Sequence, residues 1–249
     1  MLPEIDIGPL TLQTFGICFA LGFLVTGAVV WRRFKELGKP TDWAYELIFS
    51  SLIGGLVGAR VYYMAQHWSE VQDDFFGNVF SGSGLVWYGG ALGGALAVFG
   101  WAWYRGFLEL ALLDLAAPAL AVGYAIGRVG CQLSGDGDYG KASDLPWAMS
   151  YPDGTVPTDQ RVHPTPVYES LAMGLVAWLL WSWRDRFRPG ILFALYLVLS
   201  GLERFLVEFI RRNDEVWAGL TAPQIESLAL MLVGGAWLAV ASRRRLVLA

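Results

Sequence analysis

This 249-residue sequence is short of charge and holds only two cysteines. Only 16% of its residues are charged, whereas an ordinary soluble domain carries roughly a quarter. That shortfall excludes a water-exposed globule. Two cysteines, Cys18 and Cys131, are too few for a disulfide-stapled secreted scaffold. A formal net charge of −4 argues against a nucleic-acid partner, because phosphate binding needs a basic face. The opening segment MLPEIDIGPL is acidic and lacks a basic n-region, so a cleavable signal peptide is not expected. No internal repeat of convincing period is present, which weighs against an inverted-repeat transporter. What abounds is apolar: 55% hydrophobic residues, 12 Trp and 30 Gly, with a mean hydropathy of +0.45. Such content excludes disorder and describes a polytopic membrane protein of one domain, 1–249.

Apolar stretches of about 20 residues, the length that crosses a bilayer, recur at 12–31, 44–66, 85–104, 110–130, 167–183, 191–210 and 222–241. The fourth contains Pro118, a position for a kink. The expected fold class is all-α: seven transmembrane helices with an irregular outer loop region. Basic residues orient the bundle. Arg32, Arg33, Lys35 and Lys39 follow the first span, Arg105 the third, Arg184, Arg186 and Arg188 the fifth, and Arg243, Arg244 and Arg245 the seventh. These loops share one side and hold 11 of the 18 Lys and Arg. The other side carries Glu4, Asp6, Glu70, Asp73, Asp74 and the acidic loop 131–166. The positive-inside rule then places the amino terminus outside and the carboxyl terminus inside. The loop 131–166, with its runs SGDGDYGKASDLP and YPDGTVPTD, reads as turns and irregular backbone. Most Trp residues fall near span ends and read as interfacial belts. Gly89, Gly90, Gly93 and Gly94 have the small-xxx-small spacing of close helix packing.

Subtraction isolates the informative charges. Besides the 11 inner basic residues, Lys141, Arg161, Arg211 and Arg212 fall in outer segments, which leaves Arg60, Arg128 and Arg204 within spans. A charge at the bilayer centre costs on the order of 3 kcal/mol, so these three require partners or a polar cavity. Glu203 and Glu208 are at hand in span six, and Arg204 and Glu208 share a helix face. Glu169 opens span five and Asp114 begins span four. All three arginines lie towards the outer ends of their spans, where together they would form a cationic site suited to phosphate, whose oxygens the guanidinium fork matches. Structural ion pairing with Glu203 and Glu208, or snorkelling, is the competing reading. The run GRVGCQLSGDGDYG, from Gly127 to Gly140, has five glycines in fourteen residues at a helix exit. Gly127, Gly130 and Gly140 there permit close backbone approach, and successive amides suit an anion. The Asp136–Asp138 pair lacks the remaining spacing of a calcium loop, and no metal or cofactor is expected.

That run resembles the signature of the bacterial prolipoprotein diacylglyceryl transferases, in which GR-x-GN-aromatic precedes a short Asn-Gly-Glu stretch. IGPLTLQTFGICFALGF is similar to the family's first helix. HPTPVYE, from His163 through Tyr168 to Glu169, resembles its HPSQLYE motif, and ERFLVEFIR, from Glu203 to Arg211, resembles its R-x-x-VEF-x-R pattern. The likeness covers essentially the whole chain. It implies transfer of diacylglycerol from phosphatidylglycerol to the lipobox cysteine of a prolipoprotein, with a thioether formed and glycerol phosphate released. The implied partners are phosphatidylglycerol, the prolipoprotein signal peptide and the lipid bilayer, in a bacterial cytoplasmic membrane with the site towards the outer leaflet. Arg128 matches the family's phosphatidylglycerol-binding Arg, Arg204 its helix-six Arg and Arg60 an Arg of span two. Arg128, Arg204 and Glu208 are expected to act in catalysis. Arg60, Gly127, Gly130, Gly140, Asp136, Tyr168 and Glu169 are expected to bind substrate.

Two positions depart from the pattern. Where the family has His in GG-x-SFHGG this chain reads SGLVWYGG, with Tyr88 at the His position, and where it has Asn after GR-x-G there is Cys131. A tyrosine ordinarily titrates near pH 10, but a cationic neighbour favours the phenolate. Tyr88 and His163 are therefore both candidate bases, with His67 a more distant one. Cys131 reads as a small packing residue, and a disulfide with Cys18 is open. The departures keep alive a catalytically silent relative that binds anionic lipid or lipoprotein precursors. An anion pathway lined by the arginines is disfavoured because the inner halves of the spans are apolar.

Overall fold

The computed structural model describes residues 1–71 and 86–246. Asp73, Asp74 and the first residue of the expected third span lie outside them. Among the described residues the chain is mostly helical, with seven long helices: α1 (Thr14–Glu36), α2 (Trp43–Gln66), α3 (Trp87–Tyr104), α4 (Leu110–Ser134), α5 (Thr165–Trp183), α6 (Ile191–Glu208) and α7 (Ala222–Leu246). Four segments among the described residues are long and apolar enough to cross a membrane: α1, α2, α4 and the Ala222–Ser242 part of α7. Each long helix falls on one of the seven apolar stretches, because hydrophobic length is a local property of the sequence. The chain divides into two compact units, Val30–Leu112 and the remainder, Met1–Val29 with Leu113–Ala249.

In the larger unit the core is a seam of alanines. Ala117, Ala121 and Ala125 recur every fourth residue of α4 and pack against Met173, Val176, Ala177 and Leu180 of α5 and Leu192 of α6. The small side chains bring the backbones close. Asp114 of α4 accepts the backbone amides of Gly190 (2.7 Å) and Phe193 (2.9 Å), capping the start of α6. This is a structural duty for a carboxylate that the sequence leaves unassigned. Gly130 of α4 faces Cys18 of α1, and a Cβ added there would stand 2.9 Å from that of Cys18. Both cysteines are buried free thiols, so the open question of a disulfide is answered against it.

The outer segments hold more regular structure than their composition suggests. Strand β1 (Glu4–Ile7) pairs antiparallel with β2 (Leu10–Gln13) ahead of α1. The expected irregular loop is corrected twice. Residues 131–134 continue α4, and β3 (Met149–Tyr151) pairs with β4 (Thr158–Val162) over a small core of Tyr139, Tyr151 and Val162. A third hairpin, β5 (Glu215–Trp217) with β6 (Leu220–Thr221), joins α6 to α7.

In the smaller unit α2 and α3 interlock through glycine. The backbone of Gly93 meets that of Gly58, where a Cβ on either residue would come within 2.8 Å of the other's Cα. That is the close packing read from the spacing of Gly89 and Gly93. Trp43 and Trp101 form an aromatic cluster with Phe34 and Phe107. Trp101 is buried there and donates its indole N–H to Glu46 at 2.8 Å, so it is not a belt residue.

Candidate active site

Helix α5 begins with Thr165 and Pro166, where a missing N–H costs nothing and φ is already helical. One turn later it places Glu169 in the larger unit with no solvent exposure (0%). A carboxylate buried so completely requires compensation on both oxygens, and it receives it from three segments. Arg204 of α6 donates to Oε1 at 2.9 Å, as does the Tyr124 hydroxyl of α4 at 3.1 Å. Arg128 of α4 and Arg211, beyond the end of α6, pair with Oε2 at 3.2 and 3.3 Å.

Each arginine is aimed by local periodicity. Tyr124 and Arg128 lie one turn apart on α4, and the guanidinium rests 5.0 Å from the centre of the tyrosine ring. Arg204 and Glu208 lie one turn apart on α6 and pair at 3.1 Å. Glu208 is completed from the connection to α7, accepting from Asn213 at 2.5 Å and the Thr221 hydroxyl at 3.0 Å. Arg211 continues the same helical face past the last turn.

The glycine-rich exit of α4 supplies the third carboxylate. Positive φ at Gly135 (61°) and Gly137 (96°) turns the chain back, so that Asp138 meets both Arg128 and Arg211. Thr165 Oγ1 donates to the Asp138 carbonyl at 2.5 Å, and Gly140 N–H to the His163 carbonyl at 2.8 Å, fixing the loop to the start of α5. Gly140 is needed for that approach, because a Cβ would meet Thr165 Cγ2 at 2.9 Å and His163 Cβ at 3.0 Å. Burial alone would raise the Asp138 carboxyl. The Arg128 and Arg211 guanidinium groups outweigh burial and hold it below the usual carboxylate range. Burial raises the carboxyl of Asp136, which accepts the Asp138 amide at 3.2 Å.

The structure therefore brings together four expected residues, Arg128, Arg204, Glu208 and Glu169, with Gly140 shaping the loop beside them. It adds Tyr124 and Asp138, which no sequence signal singles out by itself, and Arg211. Arg211 falls among the outer basic residues by position, although it closes the ERFLVEFIR motif seven positions after Arg204, two helical turns on. Asp138 rather than Asp136 is the carboxylate that meets the arginines. Gly130 packs on α1, whereas a Cβ on Gly127 would meet nothing within 4 Å. His163 Nδ1 lies 3.5 Å from the Tyr168 hydroxyl, which accepts the Trp147 indole N–H at 2.7 Å.

Arg60 and Tyr88 belong to the smaller unit. Arg60 is buried on α2 with its guanidinium 5.1 Å from the Tyr63 ring centre. Tyr88, in the first turn of α3, is half exposed and packs edge-on against Trp87. His67 directs Nδ1 to the Tyr63 carbonyl at 3.1 Å. Cys131, Asp136 and Asp138 bring potential metal-ligand atoms within 4.8 Å of one another. Both Asp138 oxygens already serve arginines, and Arg128 Nη1 stands 3.7 Å from the Cys131 sulfur, so this donor set does not suit a cation.

The class defined by this fold and site is a helical membrane protein in which guanidinium groups from three segments surround one buried carboxylate. The chain belongs to the prolipoprotein diacylglyceryl transferase family, whose model matches residues 4–240. It is similar to proteins named phosphatidylglycerol–prolipoprotein diacylglyceryl transferase in several bacteria. The Methylococcus capsulatus protein is 31% identical over 97% of this chain and 95% of its own length. The Leptospira interrogans protein is 30% identical over 89% of this chain and 86% of its own, and the Clostridium tetani protein 30% identical over 90% and 91%.

Proposed function

We propose that this protein transfers the diacylglyceryl group of phosphatidylglycerol to the lipobox cysteine thiol of prolipoproteins, the first step of lipoprotein maturation. The observation that carries the reading is the meeting of Arg128, Arg204 and Arg211 on Glu169, in a chain that matches the family over residues 4–240. Chemically, the substrate thiolate attacks the glyceryl carbon, an S–C bond forms, the C–O bond to phosphate breaks, and glycerol phosphate leaves with the electron pair. Stabilising that departing charge calls for preorganised donors in a site shielded from water. The arginines meet this need, since their own carboxylates have already fixed where the guanidinium planes point. Glu169 and Glu208 act as positioning residues for Arg204.

The thiol proton requires a base. We assign it to Tyr88 or His163, with Tyr168 holding His163; Tyr88 and Arg60 enter on the sequence resemblance alone. Gly127 offers open space beside Arg128 for a lipid headgroup. In this reading all seven long helices span a bacterial cytoplasmic membrane with the amino terminus outside. The arginines of α4 and α6 then lie towards the outer leaflet, where lipid and signal peptide both arrive.

The test is direct. Purified protein supplied with phosphatidylglycerol and a lipobox peptide is expected to release glycerol phosphate, and to release none when the peptide cysteine is replaced by serine. Absence of release in lipid that supports a relative's activity refutes the assignment.

A further inference from the structure

The arginine cluster is where, in the transferase reading, a lipid phosphate is held, and any part Asp138 plays in lipid choice rests on that reading. An anion of the protein's own already occupies two of its guanidinium groups. Asp138 gives one oxygen to Arg128 Nη1 and the other to Arg211 Nη2, the latter at 2.5 Å. It differs from the other two carboxylates of the cluster. The side chains of Glu169 and Glu208 have no exposure, whereas that of Asp138 is 33% exposed. Glu169 and Glu208 sit on helices, while Asp138 sits on the glycine-rich turn after α4. Its backbone is anchored by Thr165 through the carbonyl and by Asp136 through the amide, so the carboxylate is released by rotation about its own side-chain bonds. Two oxygens bridging two guanidinium groups is also how a phosphodiester would bind them.

We propose that Asp138 is a resident anion that the headgroup phosphate must replace, and hence a residue that determines which lipid is accepted. Exchanging one monoanion for another keeps the balance between Arg128, Arg204 and Arg211 and their carboxylates. A headgroup with no net negative charge does not: a zwitterionic one brings a cation into a cluster that already holds three. Asp138 thus selects for an anionic phosphodiester whose remaining part is uncharged.

The experiment measures binding of glycerophosphoglycerol, a monoanionic phosphodiester, to the full chain in detergent micelles by calorimetry, for wild type, Asp138→Asn, Asp138→Ser and Asp138→Glu. Two uncharged replacements, one isosteric and one smaller, guard against one that fails to fold. A site whose open form is about one-tenth populated binds about tenfold more weakly than the same site left open. Asp138→Asn and Asp138→Ser are therefore expected to bind about tenfold more tightly, and Asp138→Glu to stay near wild type. The gain should persist at 1 M salt, where the Debye length is about 3 Å and long-range attraction is screened. Preference for short-chain phosphatidylglycerol over short-chain phosphatidylcholine should fall in the same two variants. Unchanged or weaker binding in both, or a gain that vanishes at high salt, overturns the proposal. If wild type still transfers lipid in that event, only the role of Asp138 is lost; if it does not, the transferase reading falls too.

Discussion

Arg211 lies beyond the last turn of α6 and donates to Glu169, buried on α5, at 3.3 Å. A residue outside the helix thereby shares one oxygen with Arg128, which pairs with it at 3.2 Å. Glu169 is the common acceptor of three cations, and removing it has consequences beyond one lost pair. Breaking a buried ion pair costs about 3–5 kcal/mol, so Glu169→Ala is expected to lower the thermal unfolding midpoint of the detergent-solubilised protein markedly. Glu169→Gln keeps the shape and should cost less. Midpoints equal to wild type in both would mean that Glu169 does not hold the cluster.

Lysine retains the charge of arginine but not its planar fork. Arg128→Ala and Arg204→Ala are expected to abolish transfer, and Arg128→Lys and Arg204→Lys to slow it by about tenfold or more, the factor for about 1.4 kcal/mol of transition-state binding. Release of glycerol phosphate measures this directly. Wild-type rates in the lysine variants would reduce the guanidinium groups to point charges.

Tyr88 stands where the family pattern has His. If it accepts the thiol proton, Tyr88→Phe loses activity by about two orders of magnitude, the lower end for general-base catalysis, and Tyr88→His restores it with a pH–rate profile moved to lower pH. Full activity in Tyr88→Phe would pass the role to His163, for which the same pair of measurements on His163→Gln applies.

Acid tests Asp138. Its folded-state carboxyl titrates below the unfolded value of about 3.9 because, despite burial, Arg128 and Arg211 favour the ionised form. The stability it contributes is therefore fully present above the unfolded value and lost as pH falls through the folded one. Burial shifts Asp136 the opposite way. Melting midpoints of wild type and Asp138→Asn are expected to differ most near neutral pH and to converge in acid. A constant difference from pH 7 down to pH 3 would exclude these ion pairs as its source.

Gly127 separates packing from function. A Cβ there would meet nothing within 4 Å, and alanine in a helix interior is favoured over glycine by about 0.5–1 kcal/mol. Gly127→Ala should therefore raise or preserve the melting midpoint. If the glycine leaves room for lipid, transfer falls in the same variant. Undiminished transfer would remove Gly127 from the site.

Much of this molecule is legible in its sequence because the relevant quantities are local. The length of each apolar run determined the seven long helices, the cost of a charge among apolar residues marked out Arg128 and Arg204, and the spacing of Gly89 and Gly93 announced the close packing of α3. Glu208 was legible for the same reason, one turn from Arg204. The short hairpins were not, since strands of two to five residues carry too little periodicity to stand out among turns. Nor was the full membership of the ion cluster, to which Arg211, Asp138 and Tyr124 belong beside the expected Arg128, Arg204, Glu169 and Glu208. Arg211 looks like a loop cation, and Asp136 and Asp138, two residues apart, look equivalent. Only tertiary structure decided between them, because which of several polar side chains is withdrawn from water depends on how segments far apart in the chain fold back on one another. Positive φ at Gly135 and Gly137, the hold of Thr165 on the turn, and the path of the chain after α6 bring Arg128, Glu169 and Arg211 within 3.3 Å contacts although more than 80 positions separate the first from the last.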